Sequence, residues 1–116
     1  FERTIRTKDK IVVVEFYLPD CPVCKEMAPV YEELSRELAE QAVFAKVDAA
    51  RNMDLTLQYG VIGTPTFKLF CKDQFIGEIV GETNATVLRN TIKDMVRHQA
   101  ACASGRKQVF ELDGYG

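Results

Sequence analysis

The chain reads as an α/β domain with a mixed central sheet of four to five strands and helices on both faces. Three observations predict this. Ile11–Tyr17 is an almost unbroken β-branched and aromatic run, the pattern of a strand covered on both faces. Across residues 24–40 apolar side chains recur every three or four positions, at Met27, Val30, Tyr31, Leu34 and Leu38, as on a helix with one buried face. Thr66–Cys71 and residues 75–80 form two further apolar runs joined only by Lys72-Asp73-Gln74, a hairpin-length link that makes them antiparallel. A strand–helix alternation followed by a hairpin gives a mixed sheet.

The elements follow in order. Residues 1–8 place Phe1 and Ile5 four apart, on one side of what reads as the end of a helix. Ile11–Tyr17 comes next, and then the helix of residues 24–40, which Pro29 should bend by removing a hydrogen bond. Residues 42–47 are a second strand and residues 48–52 a loop. A short helix over residues 55–59 is closed by Gly60. After the hairpin, Thr83 or Asn84 can cap a last helix whose stripe is Val87, Leu88, Thr91, Ile92, Met95 and Val96, ending near Cys102. Phe67, Phe70 and Phe75 read as core, and Met27 as helical filling.

At 116 residues the chain has the size of one domain, with 47% hydrophobic and 28% charged residues. We divide it into a domain over residues 1–102 and a tail over residues 103–116. Its net charge of −2 is spread over interspersed charges of both signs, which gives no footprint for nucleic acid. No apolar stretch has the ~20 residues of a membrane span, so neither nucleic acid nor membrane is expected as a partner.

Most of the chemistry lies in Cys21-Pro22-Val23-Cys24, directly after the first strand and at the opening of a helix. A helix N-terminus carries about half a positive charge, which favours thiolate over thiol. Two cysteines at this spacing in this setting read as a redox pair rather than as a structural disulfide. A zinc site is the rival reading. It would need two more ligands, and Cys71, His98 and Cys102 lack paired spacing. Cys71 and Cys102 read as passive thiols, and His98 as a solvated residue off the apolar stripe.

Over residues 1–102 the sequence resembles the thioredoxin family. The resemblance rests on Val14-Glu15-Phe16-Tyr17 before the CxxC, Ala45-Lys46-Val47-Asp48, Tyr59-Gly60-Val61, Thr64-Pro65-Thr66 ahead of the hairpin, and Gly81 after it. It implies a thioredoxin fold and a protein thiol–disulfide oxidoreductase, reducing target disulfides through a Cys21–Cys24 couple with no other cofactor. By the same resemblance Cys21 is the nucleophile and Cys24 the resolving thiol. Glu15 is a buried acid that takes the Cys24 proton, and Lys46 modulates its charge. Pro65 is a cis proline, and Thr64 offers a backbone edge to the substrate. The partners implied are protein disulfides and a reductase or other thiol donor.

Two departures from the family pattern stand beside the site. Asp20 replaces a tryptophan, and its carboxylate should give Cys21 a higher pKa than a neutral residue would. Pro22-Val23 replaces Gly-Pro and resembles the Cys-Pro-x-Cys of glutaredoxins, although no Gly-Gly follows the hairpin to suit glutathione. Such a dipeptide tunes redox poise. Asp20, Pro22 and Val23, with Thr64 and Pro65, form the expected substrate contact.

Two alternatives remain: a non-catalytic module that holds clients at the Thr64-Pro65 edge, and an oxidant or isomerase of an oxidising compartment. The compartment expected for a reductant is the cytoplasm. The tail alternates at residues 109–112 and could supply an edge strand, to its own chain as a monomer or to a neighbour as a swapped dimer.

Overall fold

A computed structural model describes residues 10–72 and 74–98. Four strands and three helices are described: β1 (Ile11–Tyr17), α1 (Pro22–Glu37), β2 (Ala42–Asp48), α2 (Met53–Gln58), β3 (Thr66–Cys71), β4 (Gln74–Val80) and α3 (Ala85–His98). The readings made for residues 1–8, for Cys102 and for the tail lie outside the described residues.

The sheet runs in the order β2-β1-β3-β4. β1 pairs in parallel with β2 and antiparallel with β3, and β3 pairs antiparallel with β4. β1 is therefore interior, which is why its apolarity does not alternate: Ile11 through Phe16 are all buried, but to opposite sides. Ile11 and Val13 join Phe67 and Leu69 of β3 beneath Met27, Tyr31 and Leu34 of α1 and Leu88 and Ile92 of α3. Val12, Val14 and Phe16 join Phe70 on the opposite face, where Leu55 of α2, Tyr59 and Val61 pack. Helices thus cover both faces of a mixed sheet.

Several details differ from the sequence reading. α1 begins at Pro22, two residues earlier than expected, because proline suits a first helical position whose N–H needs no partner. It runs through Pro29, which faces solvent while Met27, Tyr31 and Leu34 hold the inner side. Phe75 is not core: it is 54% exposed near the start of β4, with its ring edge-on to Phe70 and beneath the Lys68 ammonium. Val87 also leaves the core, at 46% exposure, because α3 presents Leu88 and Ile92 to the sheet. Asn84 caps α3, its Oδ1 accepting the Val87 N–H at 2.9 Å. Cys71 is no passive thiol but is disulfide-bonded. No described helix is long and apolar enough to cross a membrane.

Candidate active site

The C-terminal end of β1 and the N-terminal end of α1 bring the two thiols together. The chain leaves β1 through Leu18-Pro19-Asp20 and turns tightly, the Cys21 N–H donating to Leu18 O at 3.2 Å. Cys21 is the N-cap of α1: its backbone is extended and its Sγ accepts the Cys24 N–H at 3.2 Å. The open helix end thus aims a donor at the sulfur. Cys21 is partly exposed and Cys24 buried, and both are free thiols.

Their acidities diverge for physical reasons. The Cys21 thiol is pushed down, chiefly by hydrogen bonding from Cys24, against the opposing effect of burial and with smaller help from Thr64 and Val23. Asp20 is exposed and is not among the groups that move it. The Cys24 thiol is pushed up, first by burial and then by the hydrogen bond to Cys21. Cys21 is accordingly the more acidic and more accessible thiol of the pair, and Cys24 the more sheltered and less acidic one.

The segment before β3 forms the facing wall. The Thr64-Pro65 peptide bond is cis, and Thr64 O lies 3.8 Å from Cys21 Sγ. Thr66 Oγ1 donates to Gly63 O at 2.7 Å, and the Gly81 N–H donates to Pro65 O at 2.8 Å, so this segment is fixed to both β3 and the end of β4. Ile62 in the same segment is 96% exposed. Pro22 is exposed, whereas Val23 packs partly against the core.

Glu15 lies deeper. It is 1% exposed, on the same side of β1 as Val13, and therefore on the side covered by α1 with its buried stripe of Cys24, Met27 and Tyr31. Its Oε1 has no hydrogen-bond partner among the described residues. Burial raises its pKa from 4.5 to about 7, against an opposing pull from Lys46, the residue directly across the β1–β2 ladder. Lys46 is exposed, with its Nζ 4.6 Å from the centroid of the Tyr17 ring.

Two aromatic residues belong to this arrangement that sequence reasoning did not single out for it. Tyr17 supplies the ring under Lys46. Tyr31, seven residues after Cys24 on the same helix face, places its hydroxyl 2.6 Å from Ala45 O and 3.0 Å from Val13 O, so its one O–H is shared between both strands beside Glu15. Burial raises the Tyr31 hydroxyl well above the usual tyrosine range, and the Glu15 charge adds to this. The signal for Tyr31 was a single hydroxyl on an otherwise aliphatic stripe. Among the described residues no group of three or more His, Cys, Asp and Glu side chains could hold a metal ion.

A sheet that seats an activated thiol, a sheltered second thiol and a buried carboxyl at one strand end defines a thiol–disulfide oxidoreductase domain. Comparison with known proteins makes the assignment specific. The family model for Thioredoxin matches residues 1–94. Thioredoxin 1 of Synechococcus elongatus is 30% identical over 92 residues, 79% of this chain and 86% of that protein. Protein disulfide isomerase-like 2-2 of Oryza sativa is 41% identical over 80 residues, 67% of this chain but only 22% of that protein. The chain therefore spans about a fifth of the length of that relative. Among solved structures, Plasmodium falciparum thioredoxin superposes with a TM-score of 0.74 at 30% identity, covering 81% of this chain and 89% of that one. Mitochondrial thioredoxin 3 of Saccharomyces cerevisiae, in its oxidized form, gives 0.73 at 34% identity over 81% and 86%. The chain belongs to the thioredoxin family, whose members work through a redox-active disulfide.

Proposed function

We propose that this domain reduces disulfides in protein substrates, with Cys21 and Cys24 as its whole redox apparatus. The observation that carries this reading is the split between the thiols: Cys21 partly exposed and pushed toward thiolate, Cys24 buried and pushed toward thiol. Cys21 thiolate attacks one sulfur of the target disulfide. An S–S bond forms between Cys21 and the target, and the other target sulfur leaves as thiolate and takes a proton from water. Cys24 then loses its proton to Glu15 and attacks Cys21 Sγ. The mixed disulfide breaks, the second target sulfur leaves, and the Cys21–Cys24 disulfide holds the two electrons' worth of oxidation.

A carboxyl near pH 7 suits this proton transfer, since it is ionised often enough to accept and weak enough to release again. The Thr64 backbone offers the substrate segment a strand edge above Cys21. A reductase or another thiol donor returns the couple to its starting state. This reductant reading carries the cytoplasm as its compartment.

A second reading rests on Cys71. Disulfides persist in oxidising compartments, so the bond at Cys71 supports work as an isomerase or oxidant in one of them. The reduction potential of the Cys21–Cys24 couple separates the two. Equilibration with redox buffers is expected to give a value near −270 mV, whereas roughly −180 to −120 mV would establish the second reading. A couple that fails to cycle reversibly would leave a client-binding module with no redox role.

A further inference from the structure

We propose that Tyr17 is a positioning residue for the redox reaction, its ring holding the Lys46 ammonium within reach of Glu15. Three placements carry this. Glu15 and Lys46 face each other directly across the β1–β2 ladder. Tyr17 follows Glu15 by two residues on β1 and so projects from the same side of the sheet. The Lys46 Nζ, exposed and on a flexible stem, lies 4.6 Å from the Tyr17 ring centroid.

The obvious competitor for Lys46 is engaged elsewhere. Asp48 is opposite Tyr17 in the ladder, but its Oδ1 accepts the N–H groups of Ala50 and Arg51 at 3.0 and 3.3 Å and is folded into its own turn. Among the described residues no carboxylate lies within ion-pair distance of Lys46, so the ring is what gives this ammonium a preferred position. An exposed cation over an aromatic face is favoured about two- to fivefold over the free conformers. An ammonium held near a buried carboxyl favours its ionised form more than one that wanders in solvent. Among the described residues the buried ionisable groups that α1 brings to this side of the sheet are Cys24 and Tyr31, and β2 adds Asp48 beside Lys46. From β3, Glu15 is opposed by Phe67, which carries no charge. Among the described residues Lys46 is the cation whose charge acts on Glu15.

This rests on Glu15 as the proton acceptor only for its catalytic consequence, because the titration of Glu15 can be read without turnover. In the oxidised protein, where the paired thiols do not titrate, the 13C shift of the Glu15 carboxyl gives its midpoint directly. Removing the ring also alters hydration around Glu15, so the test is a double-mutant cycle of Tyr17→Leu and Lys46→Met. Tyr17→Leu is expected to raise the Glu15 midpoint by roughly 0.3 pH units more with Lys46 present than in the K46M background. Tyr17→Phe, which keeps the ring, is expected to leave the midpoint in place. Equal shifts from Tyr17→Leu in both backgrounds, or a shift from Tyr17→Phe as large as that from Tyr17→Leu, would overturn the proposal. Neither result would depend on whether the couple proves reducing or oxidising.

Discussion

The Cys24 N–H donates to Cys21 Sγ at 3.2 Å, so the helix that shelters the second thiol also loads the first toward thiolate. The two sulfurs should therefore differ sharply toward an alkylating agent. Iodoacetamide is expected to modify Cys21 in the reduced native protein, with a pH midpoint below the ordinary thiol value near 8.5. Cys24 should react only after unfolding. Cys24→Ser should accumulate a mixed disulfide between Cys21 and a protein substrate, visible by mass spectrometry, and Cys21→Ser should not. Equal alkylation rates at the two positions would contradict this account.

Glu15 makes stability depend on pH in an uncommon direction. Its folded pKa is about 7 against 4.5 for an ordinary glutamate, so between those values the folded chain keeps a proton that the unfolded chain has lost. Stability should fall as pH rises from 4.5 to 7 and then level, by about 3 kcal/mol in all for this one group. Denaturant titrations of wild type and Glu15→Gln at pH 5 and pH 8 measure it. The variant should lose most of this slope and be the more stable protein at pH 8. A parallel pH dependence in the two proteins would remove Glu15 as its source.

Tyr31→Phe keeps the ring that packs against Phe44 and Phe67 but deletes the hydroxyl between Val13 O and Ala45 O. The two carbonyls lose a buried donor, at an expected cost of about 1 to 2 kcal/mol by chemical denaturation. Tyr31→Ala also empties the ring's volume and should cost about 3 to 5 kcal/mol. A Tyr31→Phe protein as stable as wild type would show that the shared hydrogen bond contributes little.

Ile62 is 96% exposed in the segment that ends at Thr64, whose carbonyl meets Cys21. Ile62→Glu should raise KM for protein disulfides roughly three- to tenfold by removing apolar contact and adding charge. It should leave the reduction of a small disulfide unchanged. A loss shared by both substrate sizes would place the effect on the thiols instead of on docking.

Much of this arrangement was legible in the order of residues, for reasons tied to particular positions. Ile11–Tyr17 declared an interior strand because six consecutive side chains avoid water, and the short Lys72-Asp73-Gln74 link left β3 and β4 no choice but to pair antiparallel. The CxxC stands at a helix opening in the sequence, but cysteine is not a usual N-cap residue, and only the extended Cys21 backbone with its accepting sulfur reveals it as the cap. Phe75 reads as core by its residue type, and Val87 falls on the α3 stripe by its spacing. Periodicity says which residues share a face, not whether that stretch of it is covered, and both lie where cover is incomplete. Lys68 shows the converse: it is 8% exposed on an interior strand, and its tolerance there depends on Glu78, a cross-ladder neighbour 2.6 Å away. The Tyr31 hydroxyl and the bond at Cys71 likewise depend on through-space partners.

The two residues between the thiols are not equivalent as points of adjustment. Pro22 projects into solvent at the first position of α1, whereas Val23 leans on the hydrophobic cluster beneath the helix. Exchanging Pro22 alters the immediate surroundings of the couple with few steric consequences for the interior, while exchanging Val23 changes the couple and the packing together. A lineage, or an engineer, wishing to retune electron affinity in small increments therefore has one independent dial here and one geared to the integrity of the fold.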